Sequence, residues 1–193
     1  RHLGKKSAVR VRSNARRRIA VARELLASEQ VYLALLQALQ RRFALPLAKH
    51  AAAPLSDAAM QKAFGGLPDL ETVSIQLVDL LTKAAPDDGA DPDTPFDVVP
   101  VLQRLTQQDA NLAYIKYATQ FPQAMADIAQ APAKAQEVFR ELAGRDSPPL
   151  AELLVAPLER VQAYLHVCKE LLDLSLPESK QAATLRELSR ALG

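Results

Sequence analysis

The side chains of this 193-residue chain with the most obvious potential for chemistry are three histidines, one cysteine and 22 acids. Their spacing argues against both metal and covalent chemistry. His2, His50 and His166 lie far apart with no partner at i, i+4, so a zinc or iron site is not expected. Cys168 has no second cysteine to pair with and no Cys-His signature around it. Among Val167, Leu171 and Leu172 it reads as a small buried hydrophobe in a reducing compartment. Gly65-Gly66 is too sparse to cradle a phosphate and fits a helix C-terminus instead. The aspartates at 87, 88, 91, 93 and 97 are spaced loosely like a calcium loop but lack its central glycine and closing glutamate. No catalytic residue, metal site or cofactor is therefore expected, and any activity would come from binding.

Charge and periodicity indicate what kind of binding. Nine Lys and Arg fall within residues 1–23 without a single acid, so the remainder is net acidic although the whole chain is +2. Such a leading segment suits a solvated extension with at most a weak contact to an anionic membrane surface. Nucleic acid is not expected, since no aromatic residues interleave with these charges to stack on bases. Nor does the chain contain an apolar run long enough to span a bilayer, or a signal peptide. The expected location is the cytoplasm, with recruitment to the plasma membrane through the basic start. Glu29 lies about 40° from Leu25 and about 60° from Tyr32 on a helical wheel, at the border of an apolar stripe. Taken alone it reads as an exposed glutamate that contributes little to packing.

The elements that would carry these residues are all helices. Ala, Leu, Gln, Glu and Arg dominate, aromatics make up 5%, and no segment alternates with the period of a strand. A long helix is expected over residues 14–50, with Asn14 as N-cap, a stripe of Leu25, Tyr32, Leu36, Leu39 and Phe43, and a kink or end at Pro46. Ser56 or Asp57 caps a short helix ending at Gly65-Gly66, and Pro68 opens another with Leu70, Val73, Leu77, Leu80 and Leu81 on one face. Residues 85–100, rich in Pro and Asp, read as a mobile, dispensable loop. Further helices are expected over 98–128 (buried face Val101, Leu105, Leu112, Ile115, Ala118), 132–142 closed by Gly144, 150–174 with Pro157 near its start, and from Pro177 onward with Ala182, Leu185, Leu188 and Leu192 inward.

Four segments of this chain, in order, share a pattern with a known family. The first is Arg23-Glu24-Leu25-Leu26-Ala27-Ser28-Glu29-Gln30-Val31-Tyr32, similar to an opening motif in which an acid follows Thr or Ser and precedes Tyr by three. The second is Ala63-Phe64-Gly65-Gly66-Leu67-Pro68-Asp69-Leu70, with Gly66 in place of the usual Asn and Ser74 where a His is common. The third, Tyr114-Ile115-Lys116-Tyr117-Ala118-Thr119-Gln120-Phe121-Pro122-Gln123-Ala124, keeps paired tyrosines and a terminal alanine. The fourth, Leu153-Leu154-Val155-Ala156-Pro157-Leu158-Glu159-Arg160-Val161-Gln162-Ala163-Tyr164, matches at Leu, Pro, Arg and Tyr.

Together these four segments resemble the Dbl-homology (RhoGEF) family, and the resemblance implies an elongated all-α bundle of the Dbl-homology type over residues 14–193, preceded by a basic extension at 1–13. It also implies a guanine nucleotide exchange factor, without covalent chemistry, that clasps the switch regions of a Rho-family small GTPase until nucleotide leaves. An adjacent pleckstrin-homology domain is expected in the full-length protein. By position, GTPase-binding roles fall to Glu29 and Tyr32 from the first motif, to Val155, Ala156, Glu159, Arg160 and Ala163 from the fourth, and to Arg190 on the last helix. Relatives usually carry Lys or Arg where this chain has Ala156 and Ala163, and Gln where it has Glu159. The alternative implied by those departures is a catalytically weakened domain that serves as a GTPase-binding or scaffold module.

Overall fold

The computed structural model describes residues 2–51, 54–86 and 94–193, with side chains from residue 12 onward. Asp87, Asp88, Asp91 and Asp93, the alanines at 52 and 53, and the side chains of Arg1, Lys5, Lys6 and Arg10 lie outside the described residues. All regular structure among the described residues is helical. In chain order the helices are α1 (His2–Leu39), α2 (Leu45–Lys49), α3 (Asp57–Phe64), α4 (Leu67–Ala84), α5 (Val99–Leu102), α6 (Gln108–Ala129), α7 (Ala133–Ala143), α8 (Leu150–Leu153), α9 (Ala156–Asp173) and α10 (Lys180–Leu192).

Several boundaries differ from expectation for local reasons. The first helix begins at His2, so Asn14 is interior to α1 and caps nothing. The helical path continues past Pro46 to Lys49. In a straight α-helix the Pro46 ring would collide with the carbonyl of Arg42. Here the chain widens into a π turn over Gln40–Ala44, with the Leu45 N–H donating to the Gln40 carbonyl, and Pro46 enters the first turn of α2, where its missing N–H is not needed. Pro157 does split the expected 150–174 helix. Leu154 and Val155 form a turn, and the proline becomes the second residue of α9. The last helix starts at Lys180 rather than at Pro177, because the Ser179 hydroxyl accepts from the Ala182 N–H at 3.1 Å and caps it. Ser56 caps α3 in the same way, and Gly144, at φ +83°, closes α7 where an L side chain would be strained.

Two regions depart more deeply. The expected helix over 98–128 is divided at Gln107 into α5, a 3₁₀ turn (Gln103–Thr106) and α6. On α6 the buried side is Ala110, Ala113, Tyr117, Ala124 and Ile128, whereas Leu112 and Ile115 are each 53% exposed and Ala118 is exposed. Leu80 on α4 also faces out, although Leu70, Val73, Leu77 and Leu81 are buried as expected. Small residues on the inner face of α6 let α3 pack closely against it. Gly66 belongs to the same approach, since a Cβ there would stand 3.3 Å from the Tyr117 ring. The end of the expected loop is also packed. Phe96, Val98 and Val99 are buried, and the Asp97 carboxylate accepts from the Val99 N–H and from Gln181.

The chain forms two compact units. The first comprises Arg1–Gln30, Gln76–Gln107 and Gln162–Gly193, and the second Val31–Ile75 and Gln108–Val161. In the first unit α10 packs on α5 and the following 3₁₀ turn, and Ile19, Leu25, Leu102, Leu105, Leu171 and Leu185 are buried. Arg18 ties α1 to the turn after α9 and to α10, donating to Ser175 Oγ at 2.6 Å and Gln181 Oε1 at 2.8 Å. In the second unit α3 packs on α6 and α7 on the π turn. Leu36, Leu39, Phe43, Leu67 and Leu70 are among its most deeply buried side chains.

Candidate functional site

In the first unit the first motif meets the end of the fourth. Glu29 is fully buried on α1, with an exposure of 0%. This corrects the expectation of a border carboxylate with little part in packing. Tyr164 on α9, itself 1% exposed, donates its phenolic hydrogen to Glu29 Oε2 at 2.7 Å. A short bond to a carboxylate in a buried setting is stronger than a neutral one, so this pair contributes to the unit's stability. One turn further along α9, Cys168 is buried and its thiol is pushed up to about 11 by desolvation. It is the inert packing residue its neighbours implied. Ala163 is half-buried beside Tyr164, and Arg190 is exposed on α10.

In the second unit the first motif meets the start of the fourth. Arg160 is 7% exposed and stands over the ring of Tyr32, itself 5% exposed, at 5.6 Å from the centroid. That separation is within cation–π range. The GTPase-binding role that the fourth motif gives Arg160 implies an exposed side chain, and Arg160 is buried instead. Val155 and Ala156 are half-buried, and Glu159 is exposed. At the eight sequence-derived positions, then, the exposed charges are Glu159 and Arg190, while Glu29 and Arg160 face inward.

The third motif supplies the support for the fourth. The Tyr117 hydroxyl donates to the Leu154 carbonyl at 2.6 Å, fixing the turn from which α9 departs. Burial raises the Tyr117 phenol well above its ordinary value, so it remains a hydrogen-bond donor across the working pH range. Tyr117→Phe is expected to destabilise the domain by about 1–2 kcal/mol by leaving that carbonyl without its donor. A melting temperature unchanged from wild type would show that the turn does not depend on this bond.

The motifs alone do not reveal Tyr164 as the partner of Glu29 or Tyr117 as the anchor of Leu154, although a tyrosine recurring in an otherwise aromatic-poor chain is an available signal. Nor do they mark Val31, a large apolar side chain in the first motif that is 71% exposed. No cluster of three His, Cys, Asp or Glu side chains able to hold a metal occurs among the described residues. What the arrangement offers a partner is shape, apolar contact and a few charges.

A family model for the RhoGEF domain matches residues 21–192. Among solved structures, the Vav1 exchange factor is similar at a TM-score of 0.71 and 23% identity, over 91% of this chain and 46% of that one. The DH/PH domains of p115-RhoGEF are similar at 0.77 and 15% identity, over 93% of this chain and 53% of that one. The DH/PH fragment of PDZ-RhoGEF, solved in complex with human RhoA, gives 0.74 and 14% identity, over 91% and 52%. The chain thus spans about half the length of these solved chains, and at such identities the likeness shows the fold. Comparison with curated protein sequences finds none that matches. With all four motifs inside the matched residues on an all-α fold, the chain belongs to the RhoGEF (Dbl-homology) domain family.

Proposed function

We propose that this domain binds a Rho-family GTPase over its switch regions and promotes release of GDP. The observation that carries this reading is the family match over residues 21–192, which contains every motif residue assigned a role above. The complex of the PDZ-RhoGEF fragment with RhoA supports the choice of partner class. Exchange of this kind needs no bond chemistry in the factor. The domain binds the nucleotide-free GTPase better than the loaded one and shifts the equilibrium by that difference in affinity. Cellular nucleotide then displaces it.

In this reading Val155, Ala156, Glu159, Ala163 and Arg190 meet the GTPase first, Glu29, Tyr32 and Arg160, buried in the free domain, join the contact set only when the bound GTPase draws them out, and Tyr117 and Tyr164 act as positioning residues. A pleckstrin-homology domain follows in the full-length protein, as in the DH/PH fragments of the relatives, and the basic start adds a weak contact with anionic membrane. The protein works in the cytoplasm. A second reading, a weakened domain that binds a GTPase without exchanging its nucleotide, is favoured by the alanines at 156 and 163. Gel filtration separates binding from its absence. The domain should co-elute with a Rho-family GTPase stripped of nucleotide by EDTA and dissociate when GDP and magnesium are added. Equal co-elution with loaded and empty GTPase would support the scaffold reading, and none with any member of the family would refute both.

A further inference from the structure

A cavity of about 790 Å³ opens in the second unit, between the C-terminal half of α7 and the segment that leads into α8. Its volume is that of a pocket for a small organic ligand. Ile128, Phe139 and Leu150 form an apolar floor, and Arg140 and Arg145 supply cations at the walls. Both arginines are exposed, and among the described residues neither guanidinium pairs with a carboxylate. The Arg140 Nε–H is directed to the Gln136 carbonyl at 3.3 Å, which leaves its terminal N–H groups available. A third guanidinium stands alongside. Arg42, from the π turn, donates from Nη2 to the Ala143 carbonyl at 2.7 Å and lies 3.5 Å from where a Cβ on Gly144 would be.

The helix terminus explains part of this arrangement. The last carbonyls of α7 attract cations, which accounts for Arg42. Arg145 lies beyond the helix end, and the lining contains one acid, Glu141, against Arg140 and Arg145. An apolar floor beneath a surplus of planar, bidentate donors matches a ligand with a hydrocarbon body and one anionic head. We propose that this cavity binds an amphipathic organic anion, its apolar tail over Phe139 and Leu150 and its carboxylate or phosphate head held by Arg140 and Arg145. The site lies outside the GTPase-contact set and does not depend on it.

Titration of the whole domain with dodecanoate and with dodecyl phosphate, each below its micelle concentration, tests the proposal by calorimetry and by amide NMR shifts. Saturable binding of at least one anion is expected, with shifts centred on Gly144 and Ala151, and the better of the two identifies the head group. Dodecyltrimethylammonium should bind at least tenfold more weakly. Arg140→Gln with Arg145→Gln should weaken the anion at least tenfold, and Ala151→Phe, which fills the cavity, should do the same with both arginines intact. Lys180→Gln, on the first unit, should change nothing. Absence of binding, equal binding of the cationic amphiphile, or affinity unchanged in both cavity variants would overturn the proposal.

Discussion

Glu29→Ala is expected to lower the melting temperature by about 5–10 °C and to abolish nucleotide exchange. The thermal loss follows from burial: the substitution removes a carboxylate that accepts from Tyr164 at 2.7 Å inside the first unit, leaving the phenol without that acceptor. Losing a buried hydrogen bond to a charged group costs about 1.5–3 kcal/mol, and a domain of this size loses about 2–4 °C for each kcal/mol. Two further variants separate stability from function. Glu29→Gln keeps an oxygen that can accept from Tyr164 and should recover most of the stability, but without the charge it should not recover exchange. Tyr164→Phe should be destabilised to a similar degree while keeping exchange, because it leaves the carboxylate in place. Loss of exchange in Tyr164→Phe in proportion to its stability would mean that Glu29 acts by holding α1 to α9 and not by meeting the GTPase.

The double change Ala156→Lys with Ala163→Arg is expected to accelerate nucleotide release about tenfold at low salt. Both alanines are half-buried on α9, and Arg160 is turned onto Tyr32, so among positions 155–163 the only charge exposed to a partner is Glu159. Two added cations would steer association and hold an acidic switch surface. The gain should shrink as ionic strength rises, since exposed charges are screened over roughly 8 Å at physiological salt. Glu159→Gln should act in the same direction with a smaller effect. If the double change slows exchange, the partner's surface has diverged in charge. If neither variant alters exchange with a GTPase that binds, this face of α9 is not the interface.

How much of this was legible in the sequence depended on side-chain size and on distance along the chain. The α1 stripe of Leu25, Tyr32, Leu36, Leu39 and Phe43 was readable because large apolar residues at helical spacing have few other places to go. The α6 face was not, because its inner residues are mostly alanines that allow close packing while Leu112 and Ile115 point outward with the same period. A proline suggests a helix start that a nearby hydroxyl can override, as Ser179 does three residues before Ala182 and two after Pro177. The candidate residues were found through motifs, but their burial was not. Glu29 is fixed by a tyrosine 135 positions away, and Arg160 covers a ring on another helix. Helical periodicity carries information over a few turns and none over such separations.

Fluorescent-GDP release from a panel of Rho-family GTPases, with and without the domain, tests the proposal that the domain promotes exchange. Release faster than the intrinsic rate is expected for at least one member, rising with domain concentration and absent with Glu29→Gln. Release at the intrinsic rate from every member, including one that forms a stable complex with the domain, would refute that proposal.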